Sequence, residues 1–190
     1  MKKNLMTAVL MTIATTILLG VIYPLVVYGL AQVLFHDKAN GEIITRNGTA
    51  IGSRLIAQPF TSPKYFHPRP SAAGNGYDAA NSGGTNLAPT NQKLIDRVKA
   101  DAKALHDENP NQLIPVDLLT TSASGLDPEI SPAAAEFQIP RVARERGMSE
   151  DTLRELVAKH TDQRDLGLFG EPRVNVLELN LALDDLSAKR

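Results

Sequence analysis

The sequence predicts a single N-terminal transmembrane α-helix followed by one extracytoplasmic domain of the α+β class. Three observations indicate this: a long uncharged apolar run near the N-terminus, two lysines before it, and a mixture of strand-like and helix-like patterns in the rest of the chain. The 190 residues, of which 43% are apolar and 22% charged, are enough for one ordinary folded domain besides the membrane segment.

The apolar run extends from Leu5 to Phe35, which is 31 residues without a charge. A transmembrane helix needs about 20 apolar residues to cross roughly 30 Å of hydrocarbon, so this run is long enough. Because a secretory signal peptide has an apolar core of only about 7–15 residues, we expect an uncleaved anchor. The predicted boundaries are a cytoplasmic tail at residues 1–6, a transmembrane helix at 7–30 and an extracytoplasmic domain at 31–190.

The charges at the start of the chain predict its orientation in the membrane. Lys2 and Lys3 precede the helix, and a short positively charged tail stays in the cytoplasm. The chain is therefore expected to cross the membrane once, with its N-terminus in the cytoplasm and its C-terminal domain outside.

One face of the predicted membrane helix carries small residues at every fourth position: Ala8, Thr12, Thr16 and Gly20. Small residues allow a second helix to approach closely, and close packing is what associates helices in lipid. The alternative is that the threonines only bond back to carbonyl groups of their own helix. We interpret this row as a packing face for a membrane partner.

Two counts restrict the chemistry of the domain. The chain has no cysteine, which excludes a disulfide framework and a cysteine-ligated zinc site. Since Lys2 and Lys3 are the only charged residues before His36, the remaining 18 basic and 21 acidic residues give a net charge of −3. A nucleic-acid partner is therefore not expected.

The first elements predicted after the membrane are a hairpin and a helix. Asn47-Gly48 lies between two β-branched runs, which predicts a hairpin with a type I′ turn. Asn91 or Thr90 then caps a helix. Its apolar face consists of four residues at helical spacing: Leu94, Val98, Ala102 and Leu105.

The middle of the domain predicts a short strand and a capped helix. The strand is expected around Val116–Leu119. Ser131 as cap and Pro132 in the first turn begin the helix, and Gly147 ends it. Pro140 lies inside this helix, so we expect a kink or a division there.

The last part of the chain predicts two more helices. Ser149 caps the first of them, which carries one apolar side: Leu153, Leu156, Val157 and His160. The C-terminal segment also alternates leucines as a strand would. We favour a helix because four apolar residues fit helical spacing over a longer span: Val176, Leu179, Leu183 and Leu186.

Familiar catalytic and nucleotide-binding patterns are incomplete in this sequence. The stretch Gly74–Ala79 matches G-x-G-x-x-A, but the prolines before it exclude the strand that this motif requires. Ser124-Gly125 lacks the first glycine of a nucleophile elbow. Asp127 and Glu129 form either a carboxylate pair or a turn, and the turn is favoured. The histidines lack metal-ligand spacing: His36, His67, His106 and His160. We assign no catalytic residue and no metal site, and leave cofactor binding unassigned.

Four segments together resemble one known family, the C subunit of the bacterial Kdp potassium-transporting ATPase (KdpC). They are YFHPRPSA at Tyr65–Ala72, SGGTNLAPTN at Ser82–Asn91, a long run at Pro115–Gly147, and GEPRVNVLELNLAL at Gly170–Leu183. With the lysine-tailed anchor, the resemblance covers nearly the whole chain. Pro140 is the mild departure from the family pattern.

The resemblance implies a non-catalytic accessory subunit of an ATP-driven potassium-uptake complex in the bacterial inner membrane. The implied partners are a channel-like subunit that passes potassium, a P-type ATPase subunit and a small stabilising subunit. ATP and potassium would be handled by the complex, with this chain raising the ATP affinity of the pump subunit. Because the predicted topology separates the domain from cytoplasmic ATP, we favour an assembly role. The alternative is a membrane-tethered extracytoplasmic enzyme or nucleotide-binding module.

The 27-residue stretch from Tyr65 to Asn91 is interpreted as a partner-docking loop. Its four large apolar or aromatic residues are too few to build a core, and long irregular loops in compact domains are usually functional or disordered. Tyrosine and arginine are favoured at interfaces, and glycine and asparagine permit left-handed turns. The candidate docking residues are Tyr65, His67, Arg69, Tyr77 and Asn86.

Overall fold

The computed structural model describes residues 1–188 and consists of two compact units. The first unit is Met1–Ile43, and the second begins at Ile44. The first contains a long apolar helix and the second is an α+β domain, which confirms the prediction of one N-terminal apolar helix followed by one α+β domain.

The first unit is built on one continuous helix of 33 residues, Lys2–Leu34. It consists of α1 (Lys2–Ile17), a π-helical turn (Leu18–Ile22) and α2 (Tyr23–Leu34). A short helix, α3 (His36–Ala39), follows. None of the residues of Lys2–Leu34 is buried in the protein. The helix is long and apolar enough to cross a membrane.

The π-helical turn has a local cause in Pro24. Proline has no amide proton, and in a regular α-helix its ring would clash with the carbonyl group four residues earlier, that of Gly20. The backbone amide of Tyr23 donates to the carbonyl of Leu18, five residues back, which widens the helix by one residue just before the proline. The helix therefore passes Pro24 without breaking.

The predicted hairpin begins at Ile43, the last residue of the first unit, and continues in the second unit. It pairs β1 (Ile43–Arg46) with β2 (Thr49–Ser53). Asn47 and Gly48 have φ angles of 53° and 76°, the left-handed values that a type I′ turn requires at both central positions. The prediction is confirmed.

The next helix, α4 (Gln92–Glu108), is also confirmed. The side chain of Asn91 accepts a hydrogen bond of 2.9 Å from the amide of Lys93, so Asn91 rather than Thr90 is the cap. The predicted apolar face is half-buried for most of its length, and Leu105 packs against the edge of the core.

The strand predicted around Val116–Leu119 is wrong, because the chain forms a 3-10 turn at Val116–Leu118. The carbonyl of Val116 accepts the amides of Leu119 and Thr120, so the backbone bonds locally instead of pairing with a sheet. Leu118 is buried while Val116 is 70% exposed, which breaks the one-sided burial that a strand would show.

A small antiparallel sheet lies in the domain with strand order β3-β5-β4. Its strands are β3 (Glu129–Ile130), β4 (Thr161–Asp162) and β5 (Arg173–Asn175). Val174 of the central strand pairs with Ile130 on one side and Thr161 on the other.

Three helices complete the domain: α5 (Pro132–Arg146), α6 (Glu150–Lys159) and α7 (Val176–Ala188). Helix α7 confirms the helical interpretation of the C-terminal segment. Helix α5 continues through Pro140, so the proline does not divide it.

The predicted ends of these helices are confirmed. Ser131 accepts the amide of Ala134 at 3.0 Å, and Ser149 accepts the amide of Thr152 at 3.2 Å. Gly147 ends α5 with a φ angle of 63°, which glycine adopts without strain.

The core lies where α5, α6 and α7 pack against each other and against the small sheet. Its largest fully buried apolar side chains are Phe66, Phe137, Ile139, Leu153, Leu179, Leu183, Val142 and Val174. Two polar side chains, Gln138 and Asn180, are similarly buried and mark where the irregular part of the chain meets the core.

Candidate functional site

The stretch from Tyr65 to Asn91 is irregular, since residues 54–91 contain no helix or strand. It nevertheless contributes to the core, because Phe66 and Ala73 are completely buried. The stretch has too few apolar residues to build a core by itself, but it adds these two side chains to the core of the domain. The loop is attached to the domain at several separate points.

The strongest attachment is made by two side-chain amides. Asn180 of α7 accepts the amide of Phe66 and donates to its carbonyl, both at 2.9 Å. Gln138 of α5 accepts the amide of His67 at 2.8 Å and donates to its carbonyl at 3.1 Å. Each amide side chain thus pairs with one residue of the loop as a neighbouring strand would, which satisfies buried backbone groups.

A buried arginine supports the same segment. The guanidinium of Arg141 donates to Glu108 at 2.8 Å, to the carbonyl of Tyr65 at 2.9 Å and to Gln138 at 2.7 Å. It also donates to the carbonyl of Pro63. Since its side chain is only 7% exposed, its charge is stabilised by these partners instead of by water.

Tyr65, the first predicted docking residue, has its hydroxyl group bound to Asp184 at 3.0 Å. Arg146 lies over its ring at 4.7 Å and also pairs with Asp184 at 2.8 Å. Phe60 also contacts the ring, with the ring centroids 5.4 Å apart. Tyr65 is thereby tied to α5 and α7.

The next predicted residues, Arg69 and Tyr77, also make contacts within the domain. Arg69 pairs with Asp127 at 3.0 Å and donates to the hydroxyl of Thr120 at 3.3 Å. The hydroxyl of Tyr77 donates to the carbonyl of Arg69 at 2.8 Å. Burial raises the pKa of Tyr77, so its hydroxyl group remains protonated as a donor.

Asn86 differs from the other four candidate residues because it is exposed. Its φ angle of 51° is a left-handed value, which asparagine tolerates better than most residues. The structure therefore brings Tyr65, His67, Arg69 and Tyr77 into internal contacts and leaves Asn86 on the surface.

The segment around Ser124-Gly125 serves as a cradle for the loop. The hydroxyl of Ser71 donates to the carbonyl of Gly125 at 2.6 Å. The amide of Gly83 donates to the carbonyl of Ser124 at 2.8 Å. A Cβ atom on Gly125 would lie 2.7 Å from the amide nitrogen of Ala73, closer than any side chain allows. Only glycine fits this approach.

Asp127 and Glu129, the candidate carboxylate pair, are also engaged in structural contacts. Asp127 accepts the amide of Glu129 at 3.1 Å, which is the favoured turn, and each carboxylate pairs with an arginine, Arg69 or Arg173. Among residues 1–188, no group of three histidine, aspartate or glutamate side chains is placed to hold a metal ion.

Asn180 and Gln138 were missed in the sequence, although a signal was present. Asn180 lies between apolar residues on the buried side of α7, where a polar side chain needs a specific partner. Nothing in the linear sequence identifies Phe66, 114 positions away, as that partner.

Replacing Asn180 by alanine should lower the free energy of unfolding by about 2–4 kcal/mol. Two buried backbone groups of Phe66 lose their partners, and an unsatisfied buried group costs about 1–3 kcal/mol. Denaturant unfolding of the full chain in detergent, followed by circular dichroism, measures the change. Asn111→Ala is the control, because Asn111 is exposed and should change stability by under about 0.5 kcal/mol. A loss below about 1 kcal/mol for Asn180→Ala would contradict the anchoring role.

His67 should make the domain less stable in mild acid. Burial, and secondly the charge of Arg141, lower its pKa below the ordinary value of 6.5, against smaller opposing effects of the Ser62 carbonyl and Glu108. The unfolded chain therefore takes up a proton more readily than the folded one. The stabilising contribution is present above pH 6.5 and is lost as the pH falls through the lowered pKa.

The measurement is unfolding free energy between about pH 7.5 and pH 5, for the wild type and His67→Gln. The slope attributable to one proton is at most about 1.4 kcal/mol per pH unit, and the variant should lack it. An unchanged pH profile in His67→Gln would exclude this histidine as the source.

Comparison with known proteins relates both units of the chain to one family. The sequence profile of KdpC, described as K+-transporting ATPase, c chain, matches residues 5–185. The potassium-transporting ATPase KdpC subunit of Koribacter versatilis is 71% identical over 97% of this chain and 95% of its own length. That of Rhodopseudomonas palustris is 55% identical over 97% and 98%, and that of Methylobacterium nodulans 51% over the full length of both. The chain therefore belongs to the KdpC family, the c chain of the K+-transporting ATPase.

Proposed function

We propose that the chain is a non-catalytic accessory subunit of a K+-transporting ATPase, which assembles or stabilises the membrane subunits of that complex. The observation that carries the proposal is the family match over residues 5–185, which includes the apolar helix as well as the domain. The uncharged run from Leu5 to Phe35 supports an anchoring role, because ion pathways through membranes are marked by ionisable side chains.

The proposed topology places residues 1–6 in the cytoplasm, residues 7–30 in the bacterial inner membrane and residues 31–190 outside. Lys2 and Lys3 support this orientation, since positive charge is retained on the cytoplasmic side. The domain would then meet the outer faces of its partners.

The proposed partners are the channel-like potassium-translocating subunit, the P-type ATPase subunit and the small stabilising subunit. In this topology the domain lies across the membrane from cytoplasmic ATP. A rise in the ATP affinity of the pump subunit would therefore be transmitted through contacts between subunits. The stretch Gly74–Ala79 supports an indirect effect over direct nucleotide binding, because it lacks the flanking strand and helix that hold a pyrophosphate.

The small face of the membrane helix is the proposed contact with a partner helix. The hydroxyl of Thr12 donates to the carbonyl of Ala8 at 2.9 Å, so its polar group is already satisfied. A satisfied threonine can still act as a small residue that allows close approach. Thr16 and Gly20 continue the same row.

The loop from Tyr65 to Asn91 is the proposed docking element of the domain. Its inward side chains hold the segment in one conformation, which lowers the entropy lost when a partner binds. Asn86 lies on the exposed surface of this loop. In this proposal, Arg69 and Tyr77 hold the loop in its conformation and also contact the partner. Substituting them should therefore weaken the domain as well as the complex.

Co-expression of the tagged full chain with the other subunits, followed by detergent extraction and pull-down, tests the function and the helix face together. The wild type should retain the other subunits, whereas Thr16→Leu and Gly20→Leu should retain several-fold less, because leucine prevents close helix contact. Ile17→Leu, on another row of the same helix, is the matched control. A wild-type chain that is recovered alone would overturn the proposed function; equal recovery with Gly20→Leu would overturn only the helix face.

Labelling of single cysteines tests the topology, because the chain has none of its own. Leu113 is 95% exposed, so Leu113→Cys should react with a membrane-impermeant maleimide in cells whose outer layer is permeabilised. Lys3→Cys, at the cytoplasmic end, should react only after the inner membrane is opened. The reverse pattern would invert the orientation.

A further inference from the structure

A second exposed feature of the domain is a small loop between β4 and β5 that ends in apolar residues. Leu166, Leu168 and Phe169 are 89%, 76% and 64% exposed, and we call these three residues the apolar tip. Three large apolar side chains within four positions, all in water, are unfavourable for an isolated domain and are typical of a contact surface.

The loop that carries the apolar tip is closely bonded. Asp165 and Phe169 exchange backbone hydrogen bonds of 2.8 and 2.9 Å, and the amide of Leu168 donates to the carbonyl of Asp165 at 3.1 Å. Arg164 and Glu171 close the base of the loop with an ion pair of 2.6 Å. The tip is therefore presented on a defined turn and is not part of an extended tail.

The turn uses an unfavourable residue at its apex. Leu166 and Gly167 have φ angles of 54° and 74°, so both central positions are left-handed. Asparagine, aspartate or glycine normally occupies the first of these positions, and leucine is strained there. Because Leu166 is exposed, its strained backbone does not help to build the core. This points to a role of Leu166 in binding another molecule.

A charged cleft of about 530 Å³ begins where the loop ends. Glu171, Pro172 and Arg173 line one part of it, and Phe169 is only two residues before Glu171. Two residues span at most about 7 Å, so the tip and the cleft are neighbours. The other lining residues include Arg69, Val116, Asp117, Asp127 and Glu129.

The cleft has an excess of negative charge. Four carboxylates line it, of Asp117, Asp127, Glu129 and Glu171, against two arginines. Both arginines are already paired inside the cleft, each at 3.0 Å from a carboxylate. Arg164, which does not line the cleft, pairs with Glu171 at 2.6 Å, so within residues 1–188 Asp117 is the lining carboxylate that has no arginine partner. Ser131 donates to Asp117 from its amide and its hydroxyl, and each carboxylate oxygen can still accept a further donor.

Burial is the main reason why the pKa of Glu129 lies above its ordinary value. The charge and hydrogen bond of Arg173 oppose this, and repulsion from Asp127 and Asp162 adds smaller raising effects. An added positive charge in the cleft would relieve the repulsion.

We propose that the apolar tip and the adjoining cleft form one docking surface for a partner protein segment, which offers an apolar socket to the tip and a lysine or arginine side chain to the cleft. This inference rests on the proposed function, because it assigns the contact to another subunit of the same complex. A cation fits the spare carboxylate positions, and burial of the tip removes three apolar side chains from water.

A lipid surface fits these residues less well. Anionic headgroups would be repelled by the carboxylates, and the positive charge of Arg164 is paired with Glu171. The tip also lacks the tryptophan, tyrosine and lysine that anchor segments at a membrane surface.

The test is pull-down of the full complex from membranes with the tagged chain carrying Leu166→Ser, Leu168→Ser and Phe169→Ser together. Loss of the tip should reduce recovery of the other subunits by about tenfold or more, because burial of even one large apolar side chain is worth about that factor. Glu171→Lys should reduce recovery in low salt by a smaller factor that fades in high salt. Leu55→Ser, which removes an exposed leucine that belongs neither to the tip nor to the lining of the cleft, should have no effect.

The results separate the two proposals. If the wild type retains the other subunits and the triple variant retains them equally, the docking surface is wrong while the proposed function stands. If the wild type retains none, both fall. Unfolding of the triple variant in detergent should match the wild type, since the tip lies outside the core; a loss of stability equal to the loss of recovery would overturn the inference.

A tryptophan reporter tests the lipid alternative, because the chain has no tryptophan. Phe169→Trp in the full chain alone, reconstituted in vesicles of brominated phosphatidylcholine, should show an exposed emission spectrum and no quenching by bromine. Strong quenching there would assign the tip to lipid and overturn the protein partner.

Discussion

Two amide side chains determine how a long irregular stretch of the domain becomes part of a single core. Asn180 and Gln138 bind the backbone of Phe66 and His67 on both their donor and acceptor groups. Without these partners, burial of the Phe66 ring would also bury backbone groups without hydrogen bonds. The polar residues therefore make apolar burial possible, and they fix the loop at Phe66 and His67.

The attachment of the loop explains why most side chains that could do chemistry are already engaged in hydrogen bonds or ion pairs within the domain. Arg141 supports the carbonyl groups of the loop, Tyr65 joins α5 to α7, and Arg69 neutralises Asp127. A chain that uses its polar side chains to hold a long loop in one shape is suited to presenting surfaces to other proteins. The family match indicates that the complex in which such surfaces would be used is a K+-transporting ATPase.

The long apolar helix, Lys2–Leu34, obeys a different constraint. None of its residues is buried in the protein, and in the proposed membrane position its backbone would have to be satisfied by its own hydrogen bonds. The π-helical turn before Pro24 shows how this is managed where proline removes a donor. In the proposed membrane position, the side chains would contact lipid or a partner helix.

The sequence by itself determined the elements whose causes are local. The uncharged run makes the long helix, Asn47-Gly48 makes the hairpin, and Asn91, Ser131, Ser149 and Gly147 set helix ends, because each acts within a few residues of itself. Tertiary structure decided the rest. Val116–Leu118 turns instead of extending, since only the assembled fold supplies partners for a strand. Phe66 is buried because Asn180, far along the chain, accepts and donates at its backbone, a pairing that depends on distance in space and that no local pattern encodes.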